Sequence, residues 1–210
     1  MTKKALKPLL VSLLLLAGIN AFACTNFLIT KGASVDGSTF ISYCADSHIR
    51  YGELYFTPAA DWPEGSMRIC YDRGTNAPRG SVPQPPHTYQ VVGYINENQV
   101  AIGETTFGGR EELVNPDGIV DYGSLMFIAL ERSRTAREAI KIMADLVEEY
   151  GYGSDGESFS ISDPNEEQVS MKVLARNNLP ISLTSWESMR SKNIKYPRIG
   201  CLPSSCYVSI

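Results

Sequence analysis

The sequence predicts an α+β layered fold with antiparallel sheets. Two observations carry this expectation, and a third narrows it. β-branched runs recur in pairs around turn residues, a pair of helices sits between such hairpins, and no internal repeat is present.

The elements follow in chain order. The first 23 residues read as a removable signal segment. Lys3, Lys4 and Lys7 give a positive start, Leu9 to Ala17 an apolar run, and Ala21-Phe22-Ala23 a small-residue cleavage site. That run is shorter than the roughly 20 apolar residues a membrane helix needs, so no stable membrane span is expected. Thr25 to Thr30 and Ser38 to Cys44 form a hairpin around turn chemistry at Gly32, Asp36 and Gly37. Residues 57 to 88 hold six prolines and read as a long surface excursion. Tyr89 to Ile95 and Gln99 to Glu104 form a second hairpin around Asn96-Glu97-Asn98, and "GETTFGGREE" follows as a loop. Ser124 to Ser133 is a helix apolar on nearly every side. Thr135 to Tyr150 is an amphipathic helix with a Thr135/Glu138 capping box and Gly151 to end it. Ser158 to Ser162 and Val169 to Ala175 make the last hairpin, across an Asp163-Pro164-Asn165 turn. From about Asn177 no clear period remains, and neither strand nor helix is expected.

Composition excludes some functions. The chain carries a net charge of −4, and loss of the three signal lysines takes it to −7. No Lys/Arg cluster resembles a phosphate-tracking groove, so nucleic acid is not an expected partner. "GETTFGG" lacks the ending of a phosphate loop, and Asp155 to Glu157 lacks the alternating carboxylates of a calcium loop. No zinc-protease motif is present, so neither cofactor nor metal is expected. Five cysteines (Cys24, Cys44, Cys70, Cys201 and Cys206) are too few for a disulfide scaffold.

Cys24 directly follows the cleavage site, and its residue type admits four roles: lipid anchor, disulfide half, core residue or nucleophile. Ala21 stands where a lipid-attachment site usually has a larger aliphatic residue. Signal removal would put a thiol and an α-amine on one residue. An α-amine titrates near 7.7–8.0, so it can serve as general base for its own side chain without a histidine. This suits a chain with only His48 and His87. Asp46, at the end of the second strand, would return close to Cys24 and hold that amine. Asn165, or the loop around Glu104 to Gly109, would supply neutral donors to an oxyanion. Read alone, Asp46 is also an ordinary strand-end carboxylate and Asn165 an ordinary turn former.

Four segments carry a family resemblance: "ACTNFLITKGASVDGSTFISYCADSH", "VVGYINENQVAIGETTFGGREEL", "DYGSLMFIALERSRTAREAIKIMADLVEEYGY" and "GESFSISDPNE". In this order they resemble the C69 dipeptidases, members of the N-terminal nucleophile hydrolases alongside penicillin V acylase and bile-salt hydrolase. The resemblance covers roughly Cys24 to Glu166. It implies a four-layer αββα sandwich, amide hydrolysis through an acyl-thioester on Cys24, and a small peptide as substrate. It places the family's acid on Asp46 and an oxyanion donor on Asn165. Many members carry Arg-Asn-Glu-Asp before that acid, whereas this chain has Tyr43-Cys44-Ala45-Asp46. Residues 167–210 do not resemble the family's continuation. The expectation is therefore a signal over 1–23, the N-terminal part of the hydrolase domain over 24–166, and a divergent tail from truncation or frameshift. Export to the periplasm or medium is expected, and a homo-oligomer is left open.

Overall fold

The computed structural model describes residues 24–45, 52–108, 112, 114–165, 169–173, 182–185 and 206–209; the last three segments are described as paired backbone. The expected signal segment, Asp46 and His48 lie outside the described residues.

Two antiparallel sheets face each other. β1 (Thr25–Ile29) pairs with β2 (Phe40–Cys44), in a register that sets Thr25 opposite Cys44 and Ile29 opposite Phe40. β14 (Cys206–Ser209) adds to the other edge of β1. Short strands follow: β3 (Phe56–Thr57), β4 (Ala60–Asp61), β5 (Met67–Tyr71), β6 (Pro78–Pro83), β7 (His87–Thr88), β8 (Val91–Val92) and β9 (Ile95–Asn96). Two long strands, β10 (Ala101–Gly108) and β11 (Gly156–Ser162), form the centre of the second sheet. β12 (Val169–Val173) and β13 (Ser182–Ser185) extend it to the order β13-β12-β11-β10-β9-β8-β3. The proline-rich excursion folds into two ribbons, β4–β7 and β5–β6.

Helices α1 (Tyr122–Arg132) and α2 (Ala136–Tyr150) pack on one side of the seven-stranded sheet, touching β10, β11 and β12. β1 and β2 contact β10 and β11 from the three-stranded sheet. The order is thus helices, sheet, sheet. The core lies between helices and sheet, where Leu125, Met126, Ile128, Leu130 and Met143 meet Ile102, Phe159 and Ile161, all at or below 1% exposure. Burying a side chain of this size is worth about 1.5–3 kcal/mol, so this layer supplies most of the apolar stabilisation.

Local chemistry explains the helix ends. Asp121 caps α1 by accepting from Ser124 N at 2.7 Å. Thr135 accepts from Glu138 N at 3.1 Å and so caps α2, as expected. Glu138 does not close the box, because its Oε2 accepts from Arg134 N at 2.8 Å instead. Asp163 Oδ2 supplies a further acceptor to the Ala136 N–H at 2.7 Å, fastening the end of β11 to the start of α2. Gly151, at φ 73°, ends α2 in a conformation other residues resist. The buried face contains Ala136, Ala139, Ile140, Met143 and Leu146, with Val147 and Tyr150 only partly covered.

Three expectations are corrected. Gly103 to Gly108, expected as part of a loop, are strand, because β10 continues to Gly108 paired against β11. The expected strand from Tyr89 is broken into β8 and β9 by a turn at Gly93-Tyr94. The region after Asn177 does contain strands, β13 and β14, which take their order from sheet neighbours rather than from any period of their own.

Candidate functional site

Cys24 stands at the head of β1, where the two sheets meet. Gly103 lets them close. A Cβ there would lie 3.1 Å from Ile41 Cγ2 and 3.3 Å from both Asn26 Nδ2 and Tyr43 Cβ. β9 pairs with β10 only at Ala101, so from Ile102 onward that edge of β10 has no strand partner among the described residues. Side chains from β1 and β2 occupy the site there. Cys24 Sγ donates to Glu104 Oε1 at 3.1 Å, and Tyr43 Oη donates to the same oxygen at 2.6 Å. Glu104 is 1% exposed.

A second carboxyl completes the cluster. Thr106 and Glu157 face each other across β10 and β11, and Thr106 Oγ1 donates to Glu157 Oε1 at 2.8 Å. Glu157 is 2% exposed. Burial, then the charge of Glu104, pushes the Glu157 carboxyl up to about 9. It therefore holds a proton at neutral pH and donates it toward Glu104. Burial and the Glu104 charge likewise push the Tyr43 phenol far up, which keeps it a donor.

Asn26, two residues beyond Cys24 on the same face of β1, is fully buried. Among the described residues, neither its Nδ2 nor its Oδ1 has a hydrogen-bond partner. A buried amide with both ends unmet costs about 1–3 kcal/mol per lost partner. Such a cost is characteristic of groups set aside for a ligand.

Of the sequence-expected residues, Cys24 sits in this cluster and Asp46 lies outside the described residues. Asn165 is elsewhere and exposed. It lies in the turn past the end of β11 at Ser162, whereas Glu104 pairs with Phe159 within that strand. The visible role of the Asp163-Pro164-Asn165 turn is structural. Asp163 Oδ1 accepts from Asn165 N at 2.7 Å, and the Asn165 carbonyl accepts from Lys31 Nζ at 3.3 Å. Glu104 lies within the segment expected to supply neutral donors but offers a carboxylate. Tyr43, Asn26, Thr106 and Glu157 were not anticipated. The available signal was alternation, since Glu104 falls on the every-second-residue face of Ile102, and Glu157 on that of Phe159 and Ile161. Cys70 is a core thiol, buried and pushed up by that burial. His87 is exposed and paired with Asp61 at 2.7 Å. No metal-ligating cluster occurs among the described residues. Nor is any described helix long and apolar enough to cross a membrane.

Cys24 is thus held against a buried acid where two antiparallel sheets meet. The chain belongs to peptidase family C69, whose sequence model matches residues 23–169. It is 28% identical over 171 residues to a probable dipeptidase of Latilactobacillus sakei, covering 70% of this chain and 34% of that protein. It is 30% identical over 163 residues to probable dipeptidase A of Streptococcus pyogenes serotype M1, covering 68% and 34%. The chain thus matches about a third of the length of these relatives.

Proposed function

We propose that this chain is an amide-bond hydrolase of the dipeptidase type, acting through Cys24 once residues 1–23 are removed. The observation that carries this reading is the Cys24 thiol 3.1 Å from buried Glu104, on the first residue after the cleavage site. In the proposed reaction the Cys24 sulfur attacks the scissile carbonyl. The α-amine uncovered by cleavage takes the thiol proton and passes it to the leaving amine, and water then releases the acyl group. Glu104 and Tyr43 hold the thiol in position. The unmet Asn26 Nδ2 is the better-supported oxyanion donor, because it is buried and lies on the Cys24 face, whereas Asn165 is remote. Asp46 remains proposed as the residue that orients the amine. The Thr25–Cys44 pairing supports it by bringing the end of β2 level with the head of β1.

The same reading proposes the full αββα sandwich. Phe27 and Phe40, on the outer face of the β1–β2 sheet, are 51% and 50% exposed and would seat a second helical layer. It also proposes export to the periplasm or medium.

Intact mass of the processed N-terminus, combined with dipeptide hydrolysis, tests the proposal. We expect an unmodified Cys24 terminus, and for Cys24→Ser a loss of turnover of about 10²-fold or more. A variant blocked in cleavage should be inactive. Dipeptide hydrolysis with residue 24 still internal would overturn the mechanism. A diacylglyceryl adduct on Cys24 would replace it with an anchor. Preference for glycocholate or penicillin V over dipeptides would move the substrate class to that of the related acylases.

A further inference from the structure

A second site lies on the helix side of the molecule, between the β5–β6 ribbon and the start of α1. It is a cavity of about 310 Å³, at the small end of the usual range for small-molecule sites. Tyr55, Ile69, Tyr71 and Phe127 give it aromatic and aliphatic walls. Its cations differ in how they are matched. Arg68 pairs with Glu131 at 2.9 Å. Asp72, also on the wall, is held by Arg79 at 2.9 Å and by the Gly74 and Thr75 N–H groups. That leaves Arg73.

The Arg73 guanidinium has no carboxylate or carbonyl acceptor among the described residues. Its one hydrogen bond is to Tyr94 Oη at 3.5 Å. It lies 5.1 Å from the Tyr55 ring centroid and 5.3 Å from that of Phe127. The backbone around it is rigidly placed, because Asp121 accepts from Arg73 N at 2.5 Å while capping α1 through Ser124 N. The first turn of α1, with Gly123 and Ser124, lines the same cavity and adds the positive end of its dipole. Guanidinium donors left over in an aromatic pocket suit a planar, bidentate anion with an apolar body.

We propose that this cavity binds an organic carboxylate carrying an apolar or aromatic group, with Arg73 as the anion-binding residue. As a deepening of the peptidase reading, the carboxylate is the C-terminus of a peptide whose last side chain is hydrophobic. A free carboxylate of the same chemistry would make the same contacts. Two packed rings stand between this cavity and the cysteine cluster: Tyr94, hydrogen-bonded to Arg73, packs edge-on against Tyr43 at 4.8 Å, and Tyr43 donates to Glu104.

The test separates the pocket from catalysis. Binding of N-acetylphenylalanine and of N-acetylphenylalaninamide to the full chain carrying Cys24→Ala is measured by calorimetry. We expect the acid to bind at least about tenfold more tightly than the amide. In Arg73→Gln the two should become equal, and Arg73→Lys should keep part of the preference. Thermal melting checks that each variant is folded, and the acid, not the amide, should raise the melting temperature of the Arg73-containing protein. Equal binding of acid and amide, no binding of either, or a preference that survives Arg73→Gln would overturn the site and leave Arg73 as a packing cation. In the active chain, a peptide C-terminus in this cavity predicts a raised KM in Arg73→Gln with kcat little changed, and competitive inhibition by the acid. Non-competitive inhibition would assign the pocket to a free carboxylate instead. Because binding is measured without turnover, an inactive chain would sink the peptidase reading and leave the binding result standing.

Discussion

Two asparagines are equally well buried and treated in opposite ways. Asn96, the last residue of β9, uses its whole amide. Its Nδ2 donates to Leu130 O at 2.8 Å and Ser133 O at 2.7 Å, and its Oδ1 accepts from Asn98 N and Val100 N, each at 3.0 Å. Asn26, beside Cys24, uses none of its amide within the described residues. Asn96 closes the last turn of α1 onto the sheet, so its polarity is part of the scaffold. Asn26 carries a desolvation cost with no visible return in stability. That is the expected signature of a group whose partner arrives with the substrate.

Of the two asparagines, the scaffold member carries the larger expected effect on stability. Asn96→Ala removes four hydrogen bonds, one of them to the Leu130 carbonyl in the last turn of α1, which should cost about 3 kcal/mol or more. Urea unfolding would show it, with activity per folded molecule unchanged. If the loss stays under about 1 kcal/mol, the distinction between the two asparagines fails on its structural side.

Asn26→Leu should do the reverse. Replacing an unmatched buried amide by an apolar group of similar shape should leave stability equal or higher. Turnover should fall about 10²–10³-fold, the usual loss when an oxyanion donor is removed. Initial rates and unfolding curves on the same preparation check both halves. A marked loss of stability would reveal a structural partner for Asn26, and unchanged turnover would remove it from the oxyanion site.

The contrast also shows what a sequence can disclose. The elements that were legible are those whose order is local. Examples are the 3.6-residue period of Ala136 to Met143, the Thr135 cap, the Gly151 stop, and the short strands β1, β2 and β11 beside their turn residues. The Asn96 turn was legible for the same reason. Strand β14 was not, because it pairs with β1 from the other end of the chain, and β13 was not, because its Ser182–Ser185 run has no period of its own although β12 precedes it closely. The site divides in the same way. Cys24 announced itself through the cleavage pattern beside it. Glu104, Thr106 and Glu157 come together only through the pairing of β10 with β11, across some fifty residues of helix and loop, as with Thr106 and Glu157, 51 residues apart. Asn165 looked like a donor because it sits in a recognisable motif, yet that motif serves to cap α2 through Asp163.

The effect most specific to the acid cluster depends on pH. Glu157 has its carboxyl raised by burial and by Glu104, from the ordinary 4.5 to about 9. The folded state therefore keeps a proton that the unfolded chain releases between those values. Stability from this group is fully present below about pH 4.5 and declines as pH rises toward the folded value, by at most ~1.4 kcal/mol per pH unit. Glu157→Gln mimics the protonated acid. It keeps an Oε1 acceptor for Thr106 and offers an N–H to Glu104, but it cannot titrate. The variant should match the parent near pH 5 and become progressively more stable than it toward about pH 8. Urea unfolding at several pH values measures the difference. A difference independent of pH would mean that Glu157 is ionised in the folded chain. Cys24 would then face two negative charges, an arrangement that opposes thiolate formation and would count against it as the nucleophile.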